Sequence, residues 1–323
     1  MMIQTSPFLG FDIIGDVHGC ASALENLLQK MGYHQTPQGY QFKDTLNARQ
    51  VIFVGDLVDR GSEIRRTLSI VKAMCDNGSA QVVMGNHEFN AIAYHTPHND
   101  DFLRPRNERS NKQIEKTLEA FKHDEEEWQF YLAWFRTLPL FIEFESFRVV
   151  HACWDNHLIS EYWQNFQTNL LLPEFMVVPF EQQALLLKAV DRLTKGLSLS
   201  IPEGQLIKGR DGFYRKSFRV DFWSESINVY DDIVFQPDPI PDEHRIKNVS
   251  DIDRDKLVYY APHEKPLFVG HYWLSGVPAL VKSNIACLDY SAVNQGKLVA
   301  YRYNVNDLGL SNHNFVYVDC SLG

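Results

Sequence analysis

Three short strings carry side chains whose types and spacing could do chemistry. They are Asp16 and His18 in Gly15-Asp16-Val17-His18-Gly19; Asp56, Asp59 and Arg60 in Gly55-Asp56-Leu57-Val58-Asp59-Arg60-Gly61; and Asn86 and His87 in Gly85-Asn86-His87-Glu88. Carboxylates, imidazoles and an amide, with no thiolate among them, make the oxygen and nitrogen donor set of a pair of divalent cations. Each string directly follows an apolar run: Phe11-Asp12-Ile13-Ile14, Val51-Ile52-Phe53-Val54 and Gln81-Val82-Val83-Met84. Runs of this length read as strands, and loops at the carboxyl ends of strands are where open α/β sheets hold ligands.

The segments between the strings must supply the scaffold. After the first, apolar residues at positions 21, 24, 27, 28 and 31 mark an amphipathic helix ended by Gly32. After the second, Ile64, Leu68, Val71, Met74 and Cys75 line one helix face up to Asn77-Gly78. Strand, loop and helix in alternation specify βαβ crossovers and a parallel sheet core, with the three loops on one edge. Residues 107–136 suggest two helices, and the segments 140–145 and 147–150 a hairpin leading into His151. His151 thus occupies a further strand-end ligand position, its alternative being a satisfied core histidine. Residues from about 157 to 260 are less regular and read as an inserted cap, with a helix around 182–192 and a hairpin at Asp211-Gly212. Four apolar runs at 266–269, 285–288, 298–301 and 315–318 suggest antiparallel strands forming a second sheet packed on the first.

Composition bounds the class. The 323 residues contain no linker-like stretch, so a single domain, 1–323, is expected, with the inserted cap inside it. At 45% hydrophobic and 13% aromatic residues, the chain can bury a large core without disulfides. Five cysteines, without CxxC spacing, argue against a disulfide framework or a zinc ribbon and suit a reducing, cytoplasmic setting. No basic segment with an apolar core opens the chain, and no apolar run approaches the ~20 residues needed to span a bilayer, so no membrane partner is expected. A net charge of −10 disfavours nucleic acid as a partner. It does not exclude an anionic substrate, because bound cations dominate the potential within a metal site.

The three strings, His151 and Gly270-His271 together resemble the calcineurin-like metallophosphoesterase superfamily, in its phosphoprotein-phosphatase branch. Bacterial members of that branch include serine/threonine phosphatases and diadenosine tetraphosphate hydrolases. The resemblance implies a four-layer α-β-β-α sandwich of two packed mixed sheets flanked by helices. It also implies a dinuclear centre, with Asp16 and His18 on one metal, Asp56 bridging, and Asn86, His151 and His271 on the other. Mn²⁺ is the metal the resemblance favours, while Fe or Zn²⁺ suits the same donors. A hydroxide between the two cations would attack phosphorus in line. His87 would be the general acid, Asp59 would orient it, and Arg60 would clamp phosphate oxygens. The sequence departs from the family where Ala152-Cys153 follows His151, a position usually held by two small residues, often glycine. Cys153 reads as a buried, inert thiol.

Several assignments stay open at this level. His263 competes with His271 but sits in a loop-like segment, and His95 and His98 read as loop histidines. The basic stretch 208–219 is either a solvated hairpin or a cap arm that recognises phosphate. Arg215 or Arg219 could supply a second phosphate-binding arginine, as could Arg104, Arg106 or Arg109. The aromatic residues Trp154, Trp163, Phe213, Tyr214, Trp223 and Trp273 could stack on a base or be core. Hydrolysis of phosphomonoesters, on phosphoserine or phosphothreonine proteins or small phosphorylated metabolites, is the first functional expectation. A dinucleoside polyphosphate hydrolase or other phosphodiesterase is the alternative. An inactive phosphate-binding regulatory module is a third, against which the intact His87 and Asp59 argue.

Overall fold

The computed structural model describes residues 3–44, 46–171, 179–208, 212–235 and 240–320. Strands Gly10–Ile14, Arg49–Phe53 and Ala80–Val82 lie side by side in parallel. Helices Ala21–Met31 and Ile64–Asp76 make the crossovers, as the apolar periodicity predicts. All three strands end on the same edge of the sheet, so the three motif loops meet there.

These strands are apolar on both faces because both faces are covered. Phe11, Ile13, Ile52 and Val54 point into a core between two sheets, while Ile14, Val51 and Phe53 point into a core under the helices. Asp12 is the exception in its run. It is fully buried, and its carboxylate accepts from Tyr33, Arg49 and Arg302, the pairing a buried charge requires.

The second sheet orders Ile285–Cys287, Leu267–Val269, Arg148–Val150 and Phe141–Glu143. It packs on the first through Ile142, Phe147, Val149, Phe268 and Ala286. Helices cover the outer faces, which gives the four-layer arrangement of two mixed sheets.

The tail strands depart from the sequence expectation of a sheet of antiparallel neighbours. Leu267–Val269 pairs in parallel with both Ile285–Cys287 and Arg148–Val150 in the second sheet. Lys297–Asn304 and Phe315–Asp319 instead join the first sheet, the former antiparallel to Gly10–Ile14. The physical reason is loop length: the segment 270–284 is long enough for a parallel crossover, whereas the run into Lys297 is a tight turn.

Helices Asn156–Phe166 and Phe180–Lys195 bury Leu158, Tyr162, Leu186 and Leu193 in the main helix-side core. Strands Leu197–Ser200 and Ser217–Val220 pair antiparallel over a separate small cluster that includes Leu199, Phe218, Tyr230 and Ile233. Beside them Ile207–Lys208 pairs with Tyr214–Arg215, the arms of the hairpin read from Asp211-Gly212. Gly209, Arg210 and Asp211 lie outside the described residues. No helix of the described residues is long and apolar enough to cross a membrane.

Candidate metal centre

Glu88 ties the second and third motif loops together. As the third residue of helix Asn86–His95 it reaches back to the Gly85 N–H at 3.0 Å, the capping-box move. The same fully buried carboxylate accepts from the Asp56 and Leu57 N–H groups, each at 2.8 Å. Gly85 must be glycine, because a Cβ there would lie 2.3 Å from Asp56 Oδ1. Five of the candidate residues, His18, Asp56, Asp59, Arg60 and His271, hold positive φ between 45° and 66°. Left-handed backbone costs a non-glycine residue roughly 1–2 kcal/mol, and its concentration here marks a functional site rather than a set of relaxed turns.

Three imidazoles converge on one carboxylate oxygen. The Nε2 atoms of His151, His18 and His87 lie 3.4, 3.6 and 3.8 Å from Asp56 Oδ2. Nδ1 of His18 and of His151 each sits 2.7 Å from a backbone carbonyl, of Val58 and Val54 respectively. Those bonds fix the tautomer and leave Nε2 facing inward. His18 Nε2 and His271 Nε2 are buried with no hydrogen-bond partner. Asn86 Oδ1 lies 3.2 Å from His151 Nε2. Two donor clusters share Asp56: one with His18 and His87, one with His151 and His271, the atoms of each within 4.8 Å of one another.

The electrostatics agree with a cationic occupant. Burial, then the neighbouring Asp289, pushes the Asp16 carboxyl well above its ordinary range. Burial, then Arg60, holds His18 well below its ordinary value, and burial, then Arg219, does the same for His271. Both rings are therefore neutral and able to coordinate. Burial alone would raise the Asp56 carboxyl, but His151 and His87 outweigh it and hold it ionised. Two neighbouring buried carboxylates, Asp16 and Asp289, and the unpartnered imidazole nitrogens of His18 and His271 fit a pair of divalent cations.

Beside this cluster, His87 Nδ1 sits 2.5 Å from Asp59 Oδ2. Arg60 Nη2 approaches His87 Nε2 at 3.3 Å. The guanidinium groups of Arg60 and Arg219 lie 5.8 and 5.9 Å from the Trp273 ring, on which both rest. Arg219 also donates to the His271 carbonyl at 3.3 Å.

Asp16, Asp56, Arg60, Asn86, His87 and His271 all line one cleft, with His18, Asp59 and His151 buried behind it. Of the open arginines, Arg104, Arg109, Arg215 and Arg219 line the cleft. Arg106 does not, its guanidinium stacking on Phe102 at 3.6 Å. His95 accepts from the Trp128 indole at 3.2 Å, away from the cleft, and His263 is exposed. Cys153 is fully buried, its thiol pushed up by burial to about 12. Phe213 and Trp273 reach the cleft, whereas Trp154 packs on Phe141 in the core.

Sequence reasoning missed three contributors. Asp289 is a buried carboxylate lining the cleft just after strand Ile285–Cys287, and an acidic residue at a strand end was the available signal. Gln113 and Thr117, on helix Glu108–Phe121, approach His87 and Asp59 from outside the motif loops. Nothing local in the sequence marks them.

The sequence model of the calcineurin-like phosphoesterase family matches residues 9–177, just over half of the chain, and these hold every candidate ligand except His271. An asymmetrical bis(5'-nucleosyl)-tetraphosphatase of Oceanobacillus iheyensis is 43% identical over 24% of this chain and 29% of its own length. A symmetrical bis(5'-nucleosyl)-tetraphosphatase of Psychromonas ingrahamii is 33% identical over 50% of this chain and 52% of its own. The chain thus spans about half the length, or less, of these curated relatives. A protein serine/threonine phosphatase structure from Saccharomyces cerevisiae aligns over 98% of this chain and 81% of its own, with 14% identity and a TM-score of 0.49. That likeness is too distant to bear on activity.

Proposed function

Because the chain belongs to the calcineurin-like phosphoesterase family, we propose that it is a dimetal-dependent phosphate hydrolase whose substrate class is the dinucleoside polyphosphates. The observation that carries the metal-dependent reading is the convergence of three imidazole nitrogens on Asp56 Oδ2, beside unpartnered nitrogens of His18 and His271. Asp16, His18, Asp56, Asn86, His151 and His271 would hold the cations, which when bound supply Lewis acidity toward phosphoryl oxygens and lower the pKa of water. Mn²⁺ is the first metal to test, with Fe and Zn²⁺ after it.

The chain's own groups have defined tasks. Arg60 and Arg219, both beside Trp273 and both lining the cleft, would clamp phosphate oxygens and neutralise the charge as it grows. Asp59 holds His87 by Nδ1, so the ring presents Nε2 to the cleft and can carry a proton to the departing oxygen. Within the inserted cap expected at about 157–260, strands Leu197–Ser200 and Ser217–Val220 rest on their own small core, and Ser198, Ser217, Phe218 and Arg219 from them line the cleft, which supports a cap over this site.

Phosphomonoesters, the first expectation from sequence, become the second reading. The names of the relatives favour the dinucleotide alternative, and aromatic rings of the cleft, Phe213 among them, offer stacking surface. The test is turnover of diadenosine tetraphosphate, p-nitrophenyl phosphate and bis-p-nitrophenyl phosphate by metal-stripped protein resupplied with Mn²⁺. Preferential tetraphosphate cleavage supports the proposal, and a monoester preference promotes the second reading. Metal-independent rates, or none on any substrate, overturn both.

A further inference from the structure

The cleft in front of the candidate ligands has a volume of about 710 Å³ and a lopsided lining. Its inner end holds three carboxylates, Asp16, Asp56 and Asp289. Outward from His87 the lining carries Arg104, Arg109, Lys112, Lys195 and Arg215 and, among the described residues, no Asp or Glu. In a chain of net charge −10, five cations gathered in one cleft are not a sample of the average surface.

Helix Glu108–Phe121 explains how they are arranged. Arg109, Lys112 and Gln113 stand at i, i+3 and i+4, on one face. Gln113 anchors that face to the site, its Nε2 lying 3.4 Å from His87 Nδ1, and its Oε1 accepts from Arg104 at 2.6 Å. Going back along the helix from Gln113, Lys112 and then Arg109 therefore lead away from the proposed acid. No carboxylate among the described residues pairs with either of them. Across the cleft lie Phe213, whose ring is 5.9 Å from the Arg109 guanidinium, and Arg215, on strand Tyr214–Arg215 paired with Ile207–Lys208. The two walls thus face each other at the outer end.

We propose that this outer half is a polyphosphate subsite. Arg109, Lys112 and Arg215 hold the non-reacting phosphates of a chain whose attacked phosphorus lies between Arg60 and Arg219. The inference rests on the phosphoesterase reading above and adds where the rest of the substrate goes. Arg109 and Lys112, paired with no carboxylate among the described residues and lining the same cleft as Arg215, favour several linked negative charges over the single phosphate of a monoester.

The test is inhibition of p-nitrophenyl phosphate hydrolysis by orthophosphate and by tripolyphosphate, at buffered free Mn²⁺, in the wild type and in Arg109→Ala/Lys112→Ala. Tripolyphosphate should inhibit the wild type at least about tenfold more tightly than orthophosphate, in proportion to the added charge-assisted contacts. That ratio should collapse in the double variant and shrink with added salt. Lys122→Ala, at the far end of the same helix, serves as the charge control and should keep the wild-type ratio. Both replaced side chains are exposed on a helix, so alanine is well tolerated there, and Lys112→Glu provides a second variant. A wild-type ratio near one, or a ratio unchanged in the double variant, overturns the subsite. If the wild type turns over neither p-nitrophenyl phosphate nor diadenosine tetraphosphate, the phosphoesterase reading fails separately. Calorimetric titration of tripolyphosphate into metal-loaded protein then decides the subsite: binding lost in the double variant supports it, and no binding by the wild type overturns it.

Discussion

Thr117 holds Asp59 at both ends: its hydroxyl accepts from the Asp59 N–H at 3.0 Å and donates to Asp59 Oδ1 at 2.5 Å. Asp59 Oδ2 in turn meets His87 Nδ1, so a fully buried threonine from a distant helix sets the position of the proposed acid through one carboxylate. Asp59 sits at a φ of 66°, and this clamp helps keep it there.

Thr117→Val should therefore weaken protonation of poor leaving groups. A hydrogen bond to a charged group contributes about 1.5–3 kcal/mol, so kcat on an alkyl phosphate should fall about ten- to a hundredfold. The fall on p-nitrophenyl phosphate, whose leaving group needs little proton assistance, should be smaller. Thr117→Ser should restore both. Equal losses on the two substrates would assign Thr117 a purely structural role.

Gly270 precedes His271 and passes against Asp16. A Cβ there would stand 2.0 Å from Asp16 Oδ1 and 2.7 Å from Val54 Cγ2, so Gly270→Ala must displace the carboxylate. The expected result is a folded protein with reduced bound metal, read by elemental analysis alongside circular dichroism. Full metal content in the variant would remove Asp16 from the ligand set.

Glu88→Gln tests the tie between loops. The carboxylate accepts three backbone N–H groups, whereas the amide nitrogen of glutamine can accept none. With the amide oxygen in the Oε2 position, which takes the Gly85 and Asp56 N–H groups, the buried Leu57 N–H is left unpaired, which should cost about 1–3 kcal/mol, measured as a shift in denaturation midpoint at constant m-value. A midpoint within error of the wild type would show that the loops hold without it.

Asp221 gives a pH dependence. Burial raises its carboxyl above the ordinary value, despite the Ser224 hydroxyl and N–H bonded to it. In the window between the unfolded value of about 3.9 and the raised folded value, the folded chain holds a proton that the unfolded chain has lost. Stability from this group therefore falls as pH rises through that window. Asp221→Asn keeps an acceptor for Ser224 and removes the titration. The variant should gain stability relative to wild type at neutral pH and lose that advantage in acid, as chemical denaturation at pH 4 and pH 7 would reveal. An advantage independent of pH would contradict the assignment.

Much of the inner site was legible because its residues sit on short loops beside strands. An apolar run fixes where a strand ends, and the next residues must then lie on the sheet edge, so Asp16, His18, Asp56, Asn86 and His87 could be brought together from spacing alone. His151 and His271 followed the same rule at longer range, each just after an apolar strand. The pairing of the tail strands was not legible, because a run such as 267–269 is equally apolar whether its neighbours run parallel or antiparallel.

What only the tertiary structure decided lies on elements far away in sequence. Residue types announce that arginines are present, but which of Arg104, Arg106, Arg109, Arg215 and Arg219 face the cleft depends on how one helix and one hairpin dock. Docking sends Arg106 to Phe102 and the other four to the cleft. Thr117 and Gln113 look like ordinary helix residues in the sequence; their meaning comes from the contact of helix Glu108–Phe121 with the motif loops. The sequence by itself determined which candidate side chains stand on one sheet edge, because strand periodicity and loop position are local. The shape and charge of the space in front of it are sums over non-local contacts, and no local pattern encodes them.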